Sequence, residues 1–97
     1  MTIETSPFDA ADHLQSPQAQ QQLLDDAFAS GDPAYVAAAL GTVARARGMS
    51  QVARDAGVTR EALYKALSSD GDPRLSTLIG VVKALGLTLK TQSSTAA

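Results

Sequence analysis

Capped prolines and a series of glycines cut this chain into short helical lengths, and that punctuation constrains its fold more than any other feature. Ser16-Pro17 and Asp32-Pro33 each set a capping side chain before a proline. Proline's fixed φ and missing N–H suit the first helical position. Gly31, Gly48, Gly57 and Gly86 stand where helices stop. The pattern predicts helices from Pro17 to about Ala29, from Pro33 to Arg47, from a Ser50 cap to near Ala56, from a Thr59 cap to about Ser68, and from about Ser76 to Leu85. Phe8 to Leu14 reads as a short helical turn, Leu87-Thr88-Leu89 as a short extended piece, and Thr91 to Ala97 as a disordered tail. No segment sustains the period-two alternation of a strand, so the expectation is an all-α fold of about five helices.

The apolar residues follow helical spacing. Leu23, Leu24, Ala27 and Phe28 form one stripe, and Tyr35, Val36, Ala39, Leu40, Val43 and Ala44 a second. Leu75, Leu78, Ile79, Val82 and Leu85 form the expected core stripe of the last helix. Gly41 interrupts the second stripe at a cost of about 1 kcal/mol in helix propensity and predicts a close helix crossing. With 97 residues, 44% of them hydrophobic and only 4% aromatic, the chain can build one modest core of Leu, Val and Ala.

Several function classes drop out. The absence of cysteine removes disulfides, zinc-thiolate sites and cysteine nucleophiles. His13 is the single histidine, so no metal or other cofactor is expected. Asp25-Asp26 reads as a solvated pair, and Asp70-Gly71-Asp72 as a turn without the ligand spacing of a calcium loop. Gly48 to Val52 lacks the second glycine of a nucleophile elbow, and no phosphate-binding glycine motif occurs. The expectation is a protein that is not an enzyme. The first residues lack a signal-peptide layout, and the longest apolar run, Tyr35 to Leu40, is far short of a membrane span, which predicts a cytoplasmic protein with no membrane contact.

Charge is unevenly placed. The total is −2. Residues 1–44 hold six acids and no Lys or Arg, whereas residues 45–97 hold all eight bases and four acids, giving −6 and +4. Such a split suggests two surfaces for two partners.

The basic half contains the informative motif. From Met49 to Leu67, two short helices flank a turn at Gly57, the helix-turn-helix layout. Ala53 is small where the second helix crosses the first, and Gly57 supplies a left-handed backbone where the chain reverses. Val52, Ala56, Val58, Ala62, Leu63, Ala66 and Leu67 complete an expected apolar seam. Arg60, Glu61, Tyr64, Lys65 and Ser68 then fall on one outward side of the second helix. In a recognition helix that side meets base edges, Arg60 suiting guanine and Glu61 cytosine. Ser50, Gln51 and Thr59 sit at helix N-termini, which favour phosphate, and Arg45, Arg47, Arg54 and Arg74 are further candidates for backbone contacts. The expected DNA-binding residues are therefore Ser50, Gln51, Arg54, Thr59, Arg60, Glu61, Tyr64 and Lys65.

Phe8-Asp9-Ala10-Ala11, Gly31-Asp32-Pro33, Ala39-Leu40-Gly41, Ala44 to Ser50, Thr59 to Leu67 and Ala84 to Leu87 together resemble the addiction-module antidote family, the antitoxins of bacterial type II toxin–antitoxin pairs. The resemblance implies a lambda-repressor-like helix-turn-helix domain. It also implies a RelE/ParE-like toxin neutralised by direct binding, and repression of its own operon as a homodimer on operator DNA. On that reading residues 1–31 are an acidic helical extension, residues 32–90 the DNA-binding domain and residues 91–97 a tail. The family often carries Gly-Asn-Pro after the recognition helix, where this chain has Gly71-Asp72-Pro73. The last helix and Leu87-Thr88-Leu89 are the candidates for a dimer contact, and residues 1–31 for the toxin contact, because an acidic surface steers a basic partner. The alternative is a stand-alone helix-turn-helix regulator with no toxin partner.

Overall fold

A computed structural model describes residues 16–68 and 70–93. The expected turn at Phe8 to Leu14 lies outside the described residues, as does the end of the tail. Among the described residues there are five helices and no strand: α1 (Pro17–Ser30), α2 (Pro33–Arg47), α3 (Met49–Ala56), α4 (Arg60–Ala66) and α5 (Leu75–Ala84). The all-α expectation is met. Leu87-Thr88-Leu89, read as an extended piece, forms no strand and continues as irregular chain.

Both capped prolines start helices. Ser16 Oγ accepts from the Ala19 N–H at 3.1 Å, and Asp32 Oδ1 from the Ala34 N–H at 3.0 Å. Thr59 does the same for α4, its Oγ1 accepting from the Ala62 N–H at 3.0 Å. The Ser50 cap is corrected. α3 begins at Met49 with Gly48 at the cap position and no side-chain hydrogen bond there. Met49 is pulled into the helix because its side chain is buried, which moves Ser50 into the exposed first turn.

Packing centres on α2 and α3. Leu40 and Val43 of α2, Val52 and Ala53 of α3, Leu63 of α4 and Val81 and Val82 of α5 share one core with Leu24 and Ala27 of α1. α1 therefore joins the same core as the rest of the chain. Its hold on α2 has a polar part as well: Arg47 Nε donates to Oε1 of the buried Gln20 at 2.7 Å, and the Tyr35 hydroxyl donates to Asp26. That second bond raises the Tyr35 pKa above its ordinary value.

Two core expectations change. Ala62 is exposed rather than part of the α3–α4 seam, because it lies about 100° round the helix from the buried Leu63 and away from Leu67. Leu75 and Ile79 leave the core stripe of α5, with 69% and 44% of their surface exposed. At about 100° per residue, Leu78, Val81, Val82 and Leu85 cluster on one side, and Leu75 and Ile79 fall beside them.

Gly41 marks a close approach. A Cβ built there would lie 2.7 Å from the Leu67 carbonyl oxygen, so α2 supports the C-terminal end of α4 backbone against backbone. Gly41→Ala is expected to destabilise the fold by about 1–3 kcal/mol in urea unfolding, because the overlap outweighs the gain in helix propensity. A more stable variant would show that α4 is not seated on Gly41.

Candidate nucleic-acid interface

The turn between α3 and α4 is made by local backbone bonding. Gly57 adopts a left-handed conformation, φ 77°. Its N–H donates to the Arg54 carbonyl at 3.2 Å, while the Val58 N–H reaches back to the Ala53 carbonyl at 3.0 Å. This paired arrangement closes a helix end and fixes the exit direction of the chain. Any side chain at Gly57 would be strained. Ala53 is buried beneath the turn, and Val58 is half-buried against the core.

That geometry turns one side of α4 inward and leaves the other outside. Leu63 is fully buried, whereas Arg60, Glu61, Tyr64, Lys65 and Ser68 are exposed. Arg60 lies over the Tyr64 ring, 5.5 Å from its centroid, and Nη2 donates to the Tyr64 hydroxyl at 3.4 Å. The hydroxyl favours the charged guanidinium and raises the Arg60 pKa further, chiefly through this hydrogen bond. Tyr64 thus keeps the Arg60 guanidinium beside its ring on the exposed face of α4, and a guanidinium is suited to a planar acceptor such as guanine.

Beside this face lies an open depression of about 350 Å³, lined by Arg45, Gly48, Met49, Ser50, Gln51, Arg60 and Tyr64. It brings the end of α2, the start of α3 and the start of α4 together. Two arginines and an α3 N-terminus without a side-chain cap make it cationic and rich in N–H donors, a combination that suits a phosphate.

The structure gathers Ser50, Gln51, Arg60 and Tyr64 around this depression. Thr59 caps α4, and Glu61 and Lys65 occupy its exposed surface. Arg54 is exposed on α3, where Nη1 donates to Gln51 Oε1 at 3.0 Å while Gln51 Nε2 donates to Asp55. Arg54 is thereby tied to the α3 surface and does not line the depression. Arg45, weighed only as a backbone contact, is brought into it; its place at the last turn of α2 beside Gly48 is the sequence signal. Arg47 is engaged with Gln20 instead. Asp72 is exposed on a loop that folds back onto α4, where the Gly71 N–H donates to the Ser68 carbonyl at 2.8 Å.

Residues 4–93 match the family described as probable addiction module antidote proteins. The chain belongs to that family. The addiction module antidote family assigns it the antitoxin side of a toxin–antitoxin pair, and with that a toxin partner in general terms. A Haemophilus influenzae protein described as uncharacterized is similar to it, 46% identical over 94 residues that span 97% of each chain. No solved structure matches. Among the described residues no helix is long and apolar enough to cross a membrane, and no cluster of His, Cys, Asp or Glu stands ready for a metal ion.

Thr59→Ala removes the α4 cap and is expected to cost the antidote protein about 1 kcal/mol of stability in urea unfolding. An unchanged midpoint would mean that the α4 start is held by packing alone.

Proposed function

We propose that this antidote protein binds operator DNA through the exposed face of α4, represses its own operon as a homodimer, and neutralises a RelE/ParE-like toxin by direct contact. One observation carries the DNA reading. α4 is anchored by the buried Leu63 and Leu67, and its outer face presents Arg60, Tyr64 and Lys65 beside a cationic depression. A short helix held rigidly with such a face outward fits the major groove. Arg60, braced by Tyr64, reads a guanine, and Glu61 and Lys65 supply neighbouring contacts. Arg45 and the α3 N-terminus with Ser50 and Gln51 grip a flanking phosphate, and this grip sets the register.

The toxin reading assigns a different surface. Asp25 and Asp26 are exposed on α1, and Asp32 is exposed at the cap of α2. A RelE/ParE-like toxin that works on RNA or the ribosome is basic, and such a partner is drawn to acids. We assign α1 to the toxin and the chain from Pro33 onward to DNA, a division of surfaces within one shared core. The protein acts in the cytoplasm on this reading.

Arg60→Ala should weaken binding to DNA from upstream of its own gene by about 1–3 kcal/mol in a gel shift and relax preference at one base pair. Tyr64→Phe should give a smaller loss, since the ring stays and the hydroxyl brace goes. The affinity should fall with salt at a log–log slope of about −0.9 for each phosphate neutralised. A flat slope with an unchanged Arg60→Ala variant would contradict the DNA reading. For the toxin, the Asp25→Lys/Asp26→Lys variant, co-expressed with the product of the adjacent gene, should associate about 10-fold more slowly at low salt and near-normally at high salt. Equal rates at both salts would remove α1 from the toxin contact.

A further inference from the structure

The outward side of α4 carries one feature that reading a guanine does not use. Arg60, Glu61, Lys65 and Ser68 are charged or polar, yet Tyr64 stands among them with 43% of its surface exposed. The other large hydrophobic side chains exposed among the described residues, Leu75, Ile79 and Leu89, belong to α5 and the segment after it. The Tyr64 hydroxyl accepts from Arg60, which accounts for the polar end of the side chain. It does not account for the ring, because bracing an arginine needs only an acceptor, and Gln or Glu at the same spacing would supply one.

The position of the ring limits what it can touch. The Arg60 guanidinium lies 5.5 Å from the ring centroid, so a base bonded by Arg60 has the ring beside it. Tyr64 also borders the depression lined by Arg45, Ser50 and Gln51, where a flanking phosphate fits. Stacked base pairs are about 3.4 Å apart, so a ring touching a guanine reader reaches the pair next to that guanine. In the major groove the base edges offer polar atoms and one apolar group, the C5 methyl of thymine. We propose that Tyr64 determines specificity by packing its ring on the C5 methyl of a pyrimidine in the base pair flanking the guanine taken by Arg60. The two side chains then read a two-base-pair element rather than a lone guanine. Thymine supplies the methyl in unmodified DNA, and 5-methylcytosine offers the same contact. Plain cytosine leaves the ring without that methyl and brings its N4 amino group towards an apolar surface. The inference rests on the reading that α4 meets DNA and deepens it.

The test uses the full chain and duplexes that it enriches from a random-sequence pool, with affinities read by fluorescence anisotropy. Replacing the thymine beside the preferred guanine by deoxyuridine removes the methyl and nothing else. The wild type should bind the uracil duplex about 4-fold more weakly for each half-site substituted, the worth of burying one such carbon. With cytosine at that position, 5-methylation should restore affinity by a similar factor. Tyr64→Phe should keep the thymine-to-uracil ratio, because the ring stays. Tyr64→Ala should bind more weakly throughout, bring the ratio to about one and still prefer guanine. The wild-type ratio decides the matter even where a variant fails to fold. Equal wild-type affinity for thymine and uracil duplexes overturns the proposal, as does a ratio that persists in Tyr64→Ala. A pool that yields no enriched duplex, or a guanine preference that survives Arg60→Ala, overturns the DNA reading itself and this inference with it.

Discussion

Helix α3 packs against α2, α4 and α5, and the rest of the molecule depends on how closely those neighbours approach it. Ala53 sets the approach of α4, because a larger side chain there would push the second helix of the motif away. The bond from the Val58 N–H to the Ala53 carbonyl then fixes the turn at the same residue. Position and direction of α4 are thus decided by one small side chain and one left-handed glycine. A recognition surface needs this kind of rigidity: side chains that read bases gain nothing if their helix can swing, since the ordering cost would be taken from the binding energy.

The far end of α4 is secured by a different contact. Gly41 admits the Leu67 carbonyl against the backbone of α2, so α4 is fixed at both ends. α2 in turn carries α1 through the shared core and through Arg47 bonded to Gln20. The uneven charge of the sequence acquires a spatial meaning from this chain of supports. The acids Asp25, Asp26 and Asp32 sit on α1 and the start of α2, while Arg45 and Arg60 meet beside α4. The switch of sign falls inside α2, which spans the interval between the two surfaces.

Much of this was legible in the sequence wherever a local rule governs. Ser16, Asp32 and Thr59 are caps because each side chain finds its N–H partner within the next three residues. The turn at Gly57 needs a glycine for its φ alone. The rest depended on partners distant along the chain. Ser50 looked like a cap, but Met49 had a core site to fill and drew the helix start one residue earlier. Arg47 looked like a phosphate contact, but its partner Gln20 lies 27 residues away on α1, whose apolar stripe is periodic while this polar contact follows no period. Leu75 and Ile79 looked like core because helical spacing marks an apolar face and does not say what covers it. Arg54 shares the composition of a contact residue, yet Gln51 ties it to the surface of α3.

The central claim is that the outer face of α4, with the depression beside it, meets DNA. Amide chemical-shift mapping of the full chain titrated with duplex from upstream of its own gene tests it most directly. The largest changes are expected at Ser50, Gln51, Thr59, Arg60, Tyr64 and Lys65, with α1 little affected. Changes confined to α1 or α5, or none on adding that duplex, would contradict it.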